Sequence, residues 1–374
     1  MSFLFELAVL VAACYVILTA YISFRWQHLP ETIIPDALPS VFVSVIVPAR
    51  NEARHIIACL NSILRQQYPS HQFEIVVIDD HSEDDTAVLV KSLTDPRIKL
   101  LSAAAGQKGK KHALTLGITQ ASGELIVTTD ADCIVPEQWL ASIVSVYVGQ
   151  QAAFIASPVV FSKGTSGLEH FQELDFLGTM ILTGVGIQQA WFYLSNGANL
   201  AFPKAVFAEL GGYKGVDNLA SGDDLLFLHK VVQRYPEKVR FNKSREAIVA
   251  TEPEKRFRDF FWQRIRWAGK SGAYTDRRLQ LLLGLVFSLS FFVLFGPLVA
   301  AFWGKALWRS YFAVAGLKIL GDYLILETGM RYFGRTDLRR SFPVSQLYHL
   351  FYVSIIGPLS LLLKKYPWKG RKVR

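Results

Sequence analysis

The chain has 374 residues, of which 51% are hydrophobic and 19% are charged, with a formal net charge of +9. This length allows one large or two ordinary domains, and the apolar composition is typical of a membrane protein with a water-soluble part. The positive charge does not indicate nucleic-acid binding, because the basic residues lie mostly beside apolar segments. Six of the last eleven residues (364–374) are Lys or Arg. Such placement is typical of anchoring at an anionic membrane surface.

The cysteine pattern gives no indication of a disulfide framework or a zinc site. Cys14, Cys59 and Cys133 have no paired spacing and no companion histidines. We expect each to be a small buried side chain in a reducing compartment.

An N-terminal anchor is the first predicted element. Phe3–Phe24 is an apolar run of 22 residues with one acid, Glu6, and this length spans a bilayer. No basic residue precedes the run and no small-residue cleavage site follows closely, so we expect an uncleaved anchor over 1–26. Arg25 follows the run, and the positive-inside rule therefore predicts that the next part of the chain lies in the cytoplasm.

After a proline-rich linker, β-rich runs and helical segments alternate. Alternation at this spacing predicts βαβ units and a doubly wound α/β domain with a mostly parallel sheet. The predicted strands are 42–47, 74–78, 98–101 and 124–129, and the predicted helices are 54–67, 84–93 and 108–121.

Two aspartates, Asp130 and Asp132, follow the fourth predicted strand. The two-residue period of a strand would point both side chains the same way. Converging carboxylates repel each other unless a cation lies between them, and Mg²⁺ or Mn²⁺ takes few protein oxygens and completes its shell with water and phosphate. The pattern predicts a metal–diphosphate site at the carboxyl ends of the strands. The alternative is a solvated acidic turn.

The C-terminal part predicts two to three membrane helices. An aromatic, basic helix over 257–270 precedes three apolar stretches, 279–303, 308–330 and 342–363. The second stretch carries Lys318, Asp322 and Glu327, which must face protein or a polar cavity. If all three stretches cross, the basic tail ends on the side opposite the soluble domain. We therefore expect 342–363 to bend back at Gly357-Pro358, with a simple crossing as the alternative.

Five separated motifs together resemble the family 2 glycosyltransferases, in the membrane-integrated branch with cellulose synthase, hyaluronan synthase and ceramide glucosyltransferase. The motifs are P-A-R-N-E (48–52), D-D-H-S (79–82), G-K-K-H-A-L (109–114), D-A-D (130–132), and S-G-D-D (221–224) with Q-R-I-R-W (263–267). The resemblance covers roughly residues 40–270. It implies a GT-A fold over 40–256, an interfacial helix over 257–278, and a C-terminal membrane region with a basic tail over 279–374.

The resemblance also implies site residues. Asp130 and Asp132 would hold Mg²⁺ or Mn²⁺ on the donor diphosphate, and Asp224 would be the general base, with Asp223 left open. The nucleotide-sugar site would comprise Pro48, Arg50, Glu52, Asp80, Asp130 and one of the neighbours Lys110 and Lys111. Gln263, Arg266 and Trp267 would complete the catalytic set at the membrane interface.

Plainer interpretations stand beside these roles. Asp223 and Asp224 would equally cap a helix that begins at Leu225. Arg266 and Trp267 would equally serve as an interfacial anchor before the next membrane span.

The sequence therefore predicts an inverting, metal-dependent hexosyltransferase in the cell (inner or plasma) membrane, with its catalytic domain in the cytoplasm. Its expected partners are a nucleotide-diphospho-sugar, UDP-linked by preference, and a lipid or glycan acceptor, with no nucleic acid. The small number of membrane segments favours single transfer to a lipid. The alternatives are a processive polysaccharide synthase and, from another class, a transporter or scaffold whose domain only binds nucleotides.

Overall fold

The computed structural model describes residues 2–104, 106, 108–214, 222–269, 276–303, 305–363, 366–369 and 371–373. Its contacts divide the chain into two compact units. The sheet unit comprises Pro30–Val160, Gly186–Glu252 and Pro367–Arg374, and the helical unit comprises Met1–Leu29, Phe161–Val185 and Pro253–Tyr366.

A seven-stranded sheet with the order β3-β2-β1-β4-β7-β5-β8 forms the centre of the sheet unit. All neighbouring strands are parallel except β7, which is antiparallel to both β4 and β5. The strands of the sheet are β1 (Val43–Ala49), β2 (Phe73–Asp79), β3 (Ile98–Ser102), β4 (Leu125–Thr128), β5 (Phe154–Ala156), β7 (Leu200–Pro203) and β8 (Val239–Phe241). Two short strands, β6 (Val159–Phe161) and β9 (Val249–Thr251), lie outside it.

The central strands are buried along nearly their whole length. Val45, Ile46 and Val47 of β1 and the corresponding apolar residues of β2 and β4 are fully inaccessible to solvent. Burial on both faces is expected when helices cover both sides of a parallel sheet. The helices of this unit are α2 (Ile56–Leu64), α3 (Thr86–Ser92), α4 (Lys110–Gln120), α5 (Trp139–Gly149), α7 (Lys204–Glu209) and α8 (Asp223–Arg234).

The helical unit contains α1 (Ser2–Gln27), α9 (Phe257–Ala268), α10 (Arg277–Trp303), α11 (Lys305–Tyr332) and the part of α6 (Gly167–Gln188) through Val185. Within the described residues, three helical segments are long and apolar enough to cross a membrane: Phe3–Gln27, Arg277–Phe302 and Thr336–Leu362. The charged helix α11 is not among them. Its Lys318 and Asp322 form a buried ion pair, and the Tyr15 hydroxyl of α1 donates to Asp322 at 2.6 Å. These charges therefore face protein, as the sequence predicts.

The last apolar segment differs from its prediction. The chain stays helical through Gly357-Pro358, as α12 (Phe342–Phe351), a π-helical turn (Tyr352–Ile356) and α13 (Gly357–Leu362). Pro358 has no N–H, and its ring would crowd the carbonyl of Ser354 in a regular α-helix. A wider π turn just before the proline is a known accommodation at such positions, so the predicted break is a local widening of the helix. Two short strands, β10 (Tyr366–Trp368) and β11 (Arg371–Val373), follow.

The predicted fold class is confirmed. Every element predicted between residues 42 and 129 is present, with its ends within three residues of the prediction. The helical unit also includes Phe161–Val185, which lies inside the range predicted for the catalytic domain. Part of the predicted interfacial segment, 270–275, lies outside the described residues, as does Ser221 of the S-G-D-D motif.

Candidate active site

Three neighbouring strands end at the same edge of the sheet, and each is followed by a predicted motif. β1 is followed by Arg50–Glu52, β2 by Asp80–Ser82, and β4 by Asp130–Asp132. The strands are parallel, with Ala49 opposite Asp79 and Ile46 opposite Thr128. The carboxyl ends of parallel strands are where open α/β sheets place their ligands.

Asp130 and Asp132 are not part of the strand itself. β4 ends at Thr128, and Asp132 lies in the turn that follows. The strand period therefore does not set their directions, because β4 ends at Thr128, before either aspartate. The two carboxylates nevertheless act on each other. Burial, then Asp130 and Glu52, raise the pKa of Asp132, and the Lys369 ammonium opposes this rise.

Lys110 connects this motif to the second acidic pair. Its Nζ lies 2.5 Å from Asp130 Oδ1 and 3.6 Å from Asp223 Oδ2. Burial lowers the pKa of Lys110, but Asp130 and then Asp223 outweigh it and raise the pKa above its ordinary value. The side chain therefore remains a cation at neutral pH. Its neighbour Lys111 is 5% exposed, and its backbone carbonyl accepts from the Thr115 hydroxyl at 2.8 Å.

The acidic pair lies at the start of α8. This helix begins at Asp223, after Gly222 with φ +88°, and not at Leu225 as the capping interpretation supposes. Asp224 Oδ1 still accepts from the Leu225 N–H at 2.8 Å, and Oδ2 accepts from the Gly197 N–H at 3.2 Å. Acidic residues in the first turn also suit the helix dipole. The pair thus serves the helix terminus and lies beside the candidate site.

The turn 196–199 is a part of the site that the sequence did not assign a role. A Cβ added at Gly197 would lie 3.1 Å from Lys110 Nζ and 3.2 Å from Asp223 Oδ2. The Thr128 hydroxyl also donates to the Gly197 carbonyl at 3.1 Å. The turn therefore packs directly on the Lys110 cluster. The sequence Asn196-Gly197-Ala198-Asn199 indicates a tight polar turn, but only the folded structure shows that this turn lies beside Lys110.

Asp80 follows β2 at this edge of the sheet and is 3% exposed. Its Oδ2 accepts from the Gly109 N–H at 3.1 Å and from Arg371 Nη1 at 2.9 Å. Its Oδ1 is buried and has no hydrogen-bond partner among the described residues. Buried polar atoms are nearly always hydrogen-bonded, so this oxygen is suited to accept from a ligand N–H or O–H.

Arg50 holds the turn that carries Asp80. Its Nη1 donates to the carbonyl oxygens of Asp80, at 3.0 Å, and His81, and its Nη2 contacts Glu83 at 2.8 Å. The guanidinium is thus engaged with the protein and fixes the end of β2. Pro48 lies within β1, which ends one residue later, at Ala49.

The carboxylates fit a hard divalent cation. Asp130 and Asp132 offer oxygen ligands, and Glu52 lies close enough to raise the pKa of Asp132. No group of three or more His, Cys, Asp or Glu side chains within the described ranges is placed to hold a metal ion. Mg²⁺ and Mn²⁺ suit such an incomplete set, because water and substrate phosphates supply their other ligands.

Two buried cysteines lie beneath the carboxylates. The Cys59 thiol donates to the Asp130 carbonyl at 3.6 Å, and the Cys133 thiol to Asp132 Oδ1 at 3.6 Å. Burial, and then Asp132 and Asp130, raise the pKa of both thiols, which therefore stay protonated. They support the site by packing and weak hydrogen bonds.

The Q-R-I-R-W segment belongs to α9 of the helical unit, whereas the other predicted site residues belong to the sheet unit. Its buried arginine is Arg264, which pairs with Asp175 at 2.6 Å. Arg266 is only half-buried. The Gln263 amide donates to Glu254 at 3.2 Å, and the Trp267 ring lies 4.7 Å from the Arg264 guanidinium.

Helix geometry explains why the sequence did not separate the two arginines. Arg264 and Arg266 lie two positions apart, so they face different sides of α9. The Arg264 guanidinium also lies 5.2 Å from the Phe260 ring and 5.1 Å from the Tyr352 ring. The sequence alone does not indicate which side of α9 packs against other helices, and therefore which of the two arginines is buried.

A mostly parallel sheet with acidic motifs at its carboxyl edge is a GT-A-type fold, and candidate membrane helices precede and follow it in the chain. Comparison with known families agrees. A sequence model for glycosyl transferase family group 2 matches residues 125–327, and one for glycosyl transferase family 2 matches residues 44–202. The chain belongs to the family 2 glycosyltransferases.

Individual relatives are distant. Glycosyltransferase AglE of Haloferax volcanii is 25% identical over 256 residues, which are 68% of this chain and 81% of AglE. A beta-monoglucosyldiacylglycerol synthase of Trichormus variabilis is 32% identical over 109 residues, 28% of this chain and 23% of the synthase. The mannosyltransferase PcManGT of Pyrobaculum calidifontis, solved with GDP-Man and Mn²⁺, has a similar fold (TM-score 0.58, 21% identity, 96% of this chain and 99% of that chain).

Proposed function

We propose that this chain transfers a sugar, with inversion, from a nucleotide-diphospho-sugar to a lipid-type acceptor at a membrane. A UDP-sugar is the donor we expect first. The observation that carries the proposal is the Lys110 ammonium, which lies 2.5 Å from Asp130 and 3.6 Å from Asp223. This contact brings the D-A-D motif and the second acidic pair to one place, as a transferase with a donor site and a base requires.

Asp224 is the residue we assign as the general base. The acceptor hydroxyl oxygen attacks the anomeric carbon, the bond from that carbon to the diphosphate oxygen breaks, and the hydroxyl proton passes to the carboxylate. Asp223 is the poorer candidate, because its Oδ2 is engaged in an ion pair with the Lys110 ammonium at 3.6 Å. Asp224 is instead held by backbone N–H groups of Gly197 and Leu225.

Asp130 and Asp132 would hold Mg²⁺ or Mn²⁺, which supplies positive charge for the diphosphate that leaves. The carboxylate oxygens suit either ion, and the similarly folded mannosyltransferase was solved with Mn²⁺. Lys110, in contact with Asp130, adds a fixed cation on the protein side. Asp80 Oδ1, buried and without a described partner, would accept a hydrogen bond from the nucleoside.

Gln263, Arg266 and Trp267 would form the acceptor side of the enzyme. A guanidinium binds phosphate oxygens through its planar fork, so we assign Arg266 to the departing diphosphate. An indole face suits a sugar ring or a lipid head group, and we assign Trp267 to the acceptor. The described packing of Trp267 against Arg264 would fix its ring for that purpose.

The membrane setting supports a lipid acceptor. Three helices are long and apolar enough to span a bilayer, and one relative is named as a beta-monoglucosyldiacylglycerol synthase. Arg25 after the first span supports, by the positive-inside rule, a catalytic domain on the cytoplasmic side. A lipid acceptor in the same leaflet would then meet the enzyme without leaving the membrane.

The test uses the full chain in detergent with Mn²⁺ and a panel of UDP- and GDP-sugars. We expect one donor to give release of nucleoside diphosphate, and lipid extract to stimulate that release. Asp224→Asn is the matched control and should bind the donor without transfer. Release from one donor that lipid does not affect would overturn the lipid acceptor. A folded sample that releases nothing from any donor would overturn the enzymatic proposal.

A further inference from the structure

The C-terminal tail contacts the candidate donor site, although no motif of the family assigns it a role there. Arg371 donates from Nη1 to Asp80 Oδ2 at 2.9 Å and from Nη2 to the Asp80 carbonyl at 3.0 Å. Lys369 forms an ion pair with Glu52, and its carbonyl accepts from Arg50 Nε at 3.1 Å. The tail is therefore joined to both nucleotide motifs through side chains and through its backbone.

These contacts are more than ion pairs on an exposed surface. Glu52 and Asp80 are 6% and 3% exposed, and the Arg371 side chain is 18% exposed. Arg371 binds the buried Asp80 carboxylate through one nitrogen and the Asp80 backbone carbonyl through the other, so the contact fixes geometry as well as charge. Lys369 also has φ +43°, a conformation that glycine adopts more easily. Such strained residues cluster at functional sites, and Asn51 and His81 in the two motifs share this feature.

Charge balance gives the tail a role in donor binding. Glu52, Asp80, Asp130 and Asp132 are carboxylates at this edge, and Arg50 and Lys110 are basic residues of the motifs that contact these carboxylates or their turns. A nucleotide-sugar brings further negative charge on its diphosphate. Lys369 and Arg371 offset two of the carboxylates, and the Lys369 ammonium also acts on Asp132. Without the tail, these carboxylates would repel the donor.

The tail leaves the nucleoside position available. Arg371 and the Gly109 N–H both bind Asp80 Oδ2, whereas Asp80 Oδ1 keeps no described partner. An arginine that saturates one oxygen fixes the carboxylate plane, and the second oxygen then faces the ligand in a set direction. A tail that merely blocked the site would be expected to cover both oxygens.

We propose that Lys369 and Arg371 are positioning residues of the donor site: Arg371 orients Asp80 toward the nucleoside, and Lys369 offsets the charge of Glu52 beside the diphosphate. This inference rests on the proposed function, since it concerns the same donor. It assigns the basic tail to nucleotide-sugar recognition. The opposite interpretation, an inhibitory strap that the donor must displace, predicts the opposite change in KM.

The experiment compares donor kinetics of the full-length wild type with Arg371→Ala, Lys369→Ala and the conservative Arg371→Lys. Arg234→Ala is the matched control, since it removes an exposed arginine–carboxylate pair with Glu209 from the same unit. We expect each alanine variant to raise the donor KM about tenfold with kcat within about twofold, as for loss of a ground-state binding contact. Arg371→Lys should recover part of the loss, and Arg234→Ala should match the wild type.

A direct binding readout and a double-mutant cycle complete the test. UDP, or the diphosphate of whichever donor the wild type uses, is titrated against each variant. If Arg371 acts through Asp80, Asp80→Asn combined with Arg371→Ala should lose much less affinity than the sum of the single losses. An unchanged or lowered KM in folded Arg371→Ala and Lys369→Ala, checked by thermal melting, would overturn the inference. If Arg371→Ala does not fold, a wild-type KM and a wild-type nucleotide affinity in Arg371→Lys would overturn the inference instead. An inactive wild type would instead refute the proposed function.

Discussion

Lys110 Nζ lies 2.5 Å from Asp130 Oδ1, which makes the first residue of α4 part of the acidic site at the end of β4. The neighbouring Lys111 is buried. The motif G-K-K offers two lysines with equal claim in the sequence, and the fold places the Lys110 ammonium on the carboxylates.

Lys110→Ala should reduce kcat/KM about a hundredfold, because one fixed cation is lost beside the leaving diphosphate. Lys108→Ala, which removes an exposed lysine two residues earlier, is the control and should leave turnover unchanged. Steady-state kinetics with the preferred donor measure both. Equal activity in Lys110→Ala and the control would remove Lys110 from the mechanism.

Asp224→Asn should lower transfer by about a thousandfold while donor affinity stays near that of the wild type, because only the base is removed. Asp223→Asn should have the smaller effect on turnover, since its charge is paired with Lys110. Single-turnover transfer and nucleoside diphosphate titration separate chemistry from binding. Near-normal transfer by Asp224→Asn would assign the base to Asp223 or to another residue.

Asp132→Ala should abolish the stimulation of donor binding by Mn²⁺, because one of two predicted metal ligands is removed. The exposed Asp85→Ala in the same unit is the control. Titrations of nucleoside diphosphate with Mn²⁺ and with a chelator give the comparison. A Mn²⁺ response in Asp132→Ala as large as in the wild type would place the metal elsewhere.

Arg264→Ala should destabilise the helical unit by about 2–3 kcal/mol, because it leaves the half-buried Asp175 carboxylate without its arginine partner. Arg266→Ala is the matched control and should change stability much less, since Arg266 is only half-buried. Thermal melting in detergent measures the difference. Equal melting temperatures for the two variants would show that the Arg264–Asp175 pair contributes nothing specific.

Glu74 makes the stability of the sheet unit depend on pH. Burial raises the pKa of Glu74, but hydrogen bonds from Lys99, Ser44 and Ser122 outweigh it and lower the pKa below its ordinary value. A carboxyl group whose pKa is lower in the folded state stabilises the fold at neutral pH and loses that contribution as the pH falls through its folded pKa.

Glu74→Gln should therefore melt at a lower temperature than the wild type at neutral pH. The gap should narrow as the pH falls below the ordinary pKa of a glutamate, about 4.3. Melting curves of both proteins from neutral to acid pH measure the gap. A gap that does not change with pH would show that the charge of Glu74 is not what stabilises the sheet.

The parallel half of the sheet was predictable because its signals are local. The apolar runs that become β1, β2 and β4 end at polar motifs, and the helices between them have regular apolar spacing. β5, β7 and β8 were not predicted, because each has only three or four residues and joins the sheet through partners distant in the chain. Pairing with strands distant in the sequence, and not the local residue pattern, determines whether such short segments form strands.

The site was predictable to the extent that it consists of motifs. The sequence indicated Asp80, Asp130 and Asp224 as separate candidates, but it could not place Lys110 between two of the motifs. It also could not place Arg371 on Asp80, because that contact joins residues nearly the whole chain apart. The basic tail looked like a membrane anchor for the same reason, since its composition is the only local signal it offers.

The most direct test of the central claim is the product formed in detergent from a labelled nucleotide-sugar, Mn²⁺ and lipid extract, with the wild type and Asp224→Asn side by side. We predict that the wild type forms one labelled lipid-soluble species with inverted anomeric configuration and that Asp224→Asn forms none. A ladder of water-soluble polymers from the wild type, or an equal amount of labelled lipid from Asp224→Asn, would contradict the account.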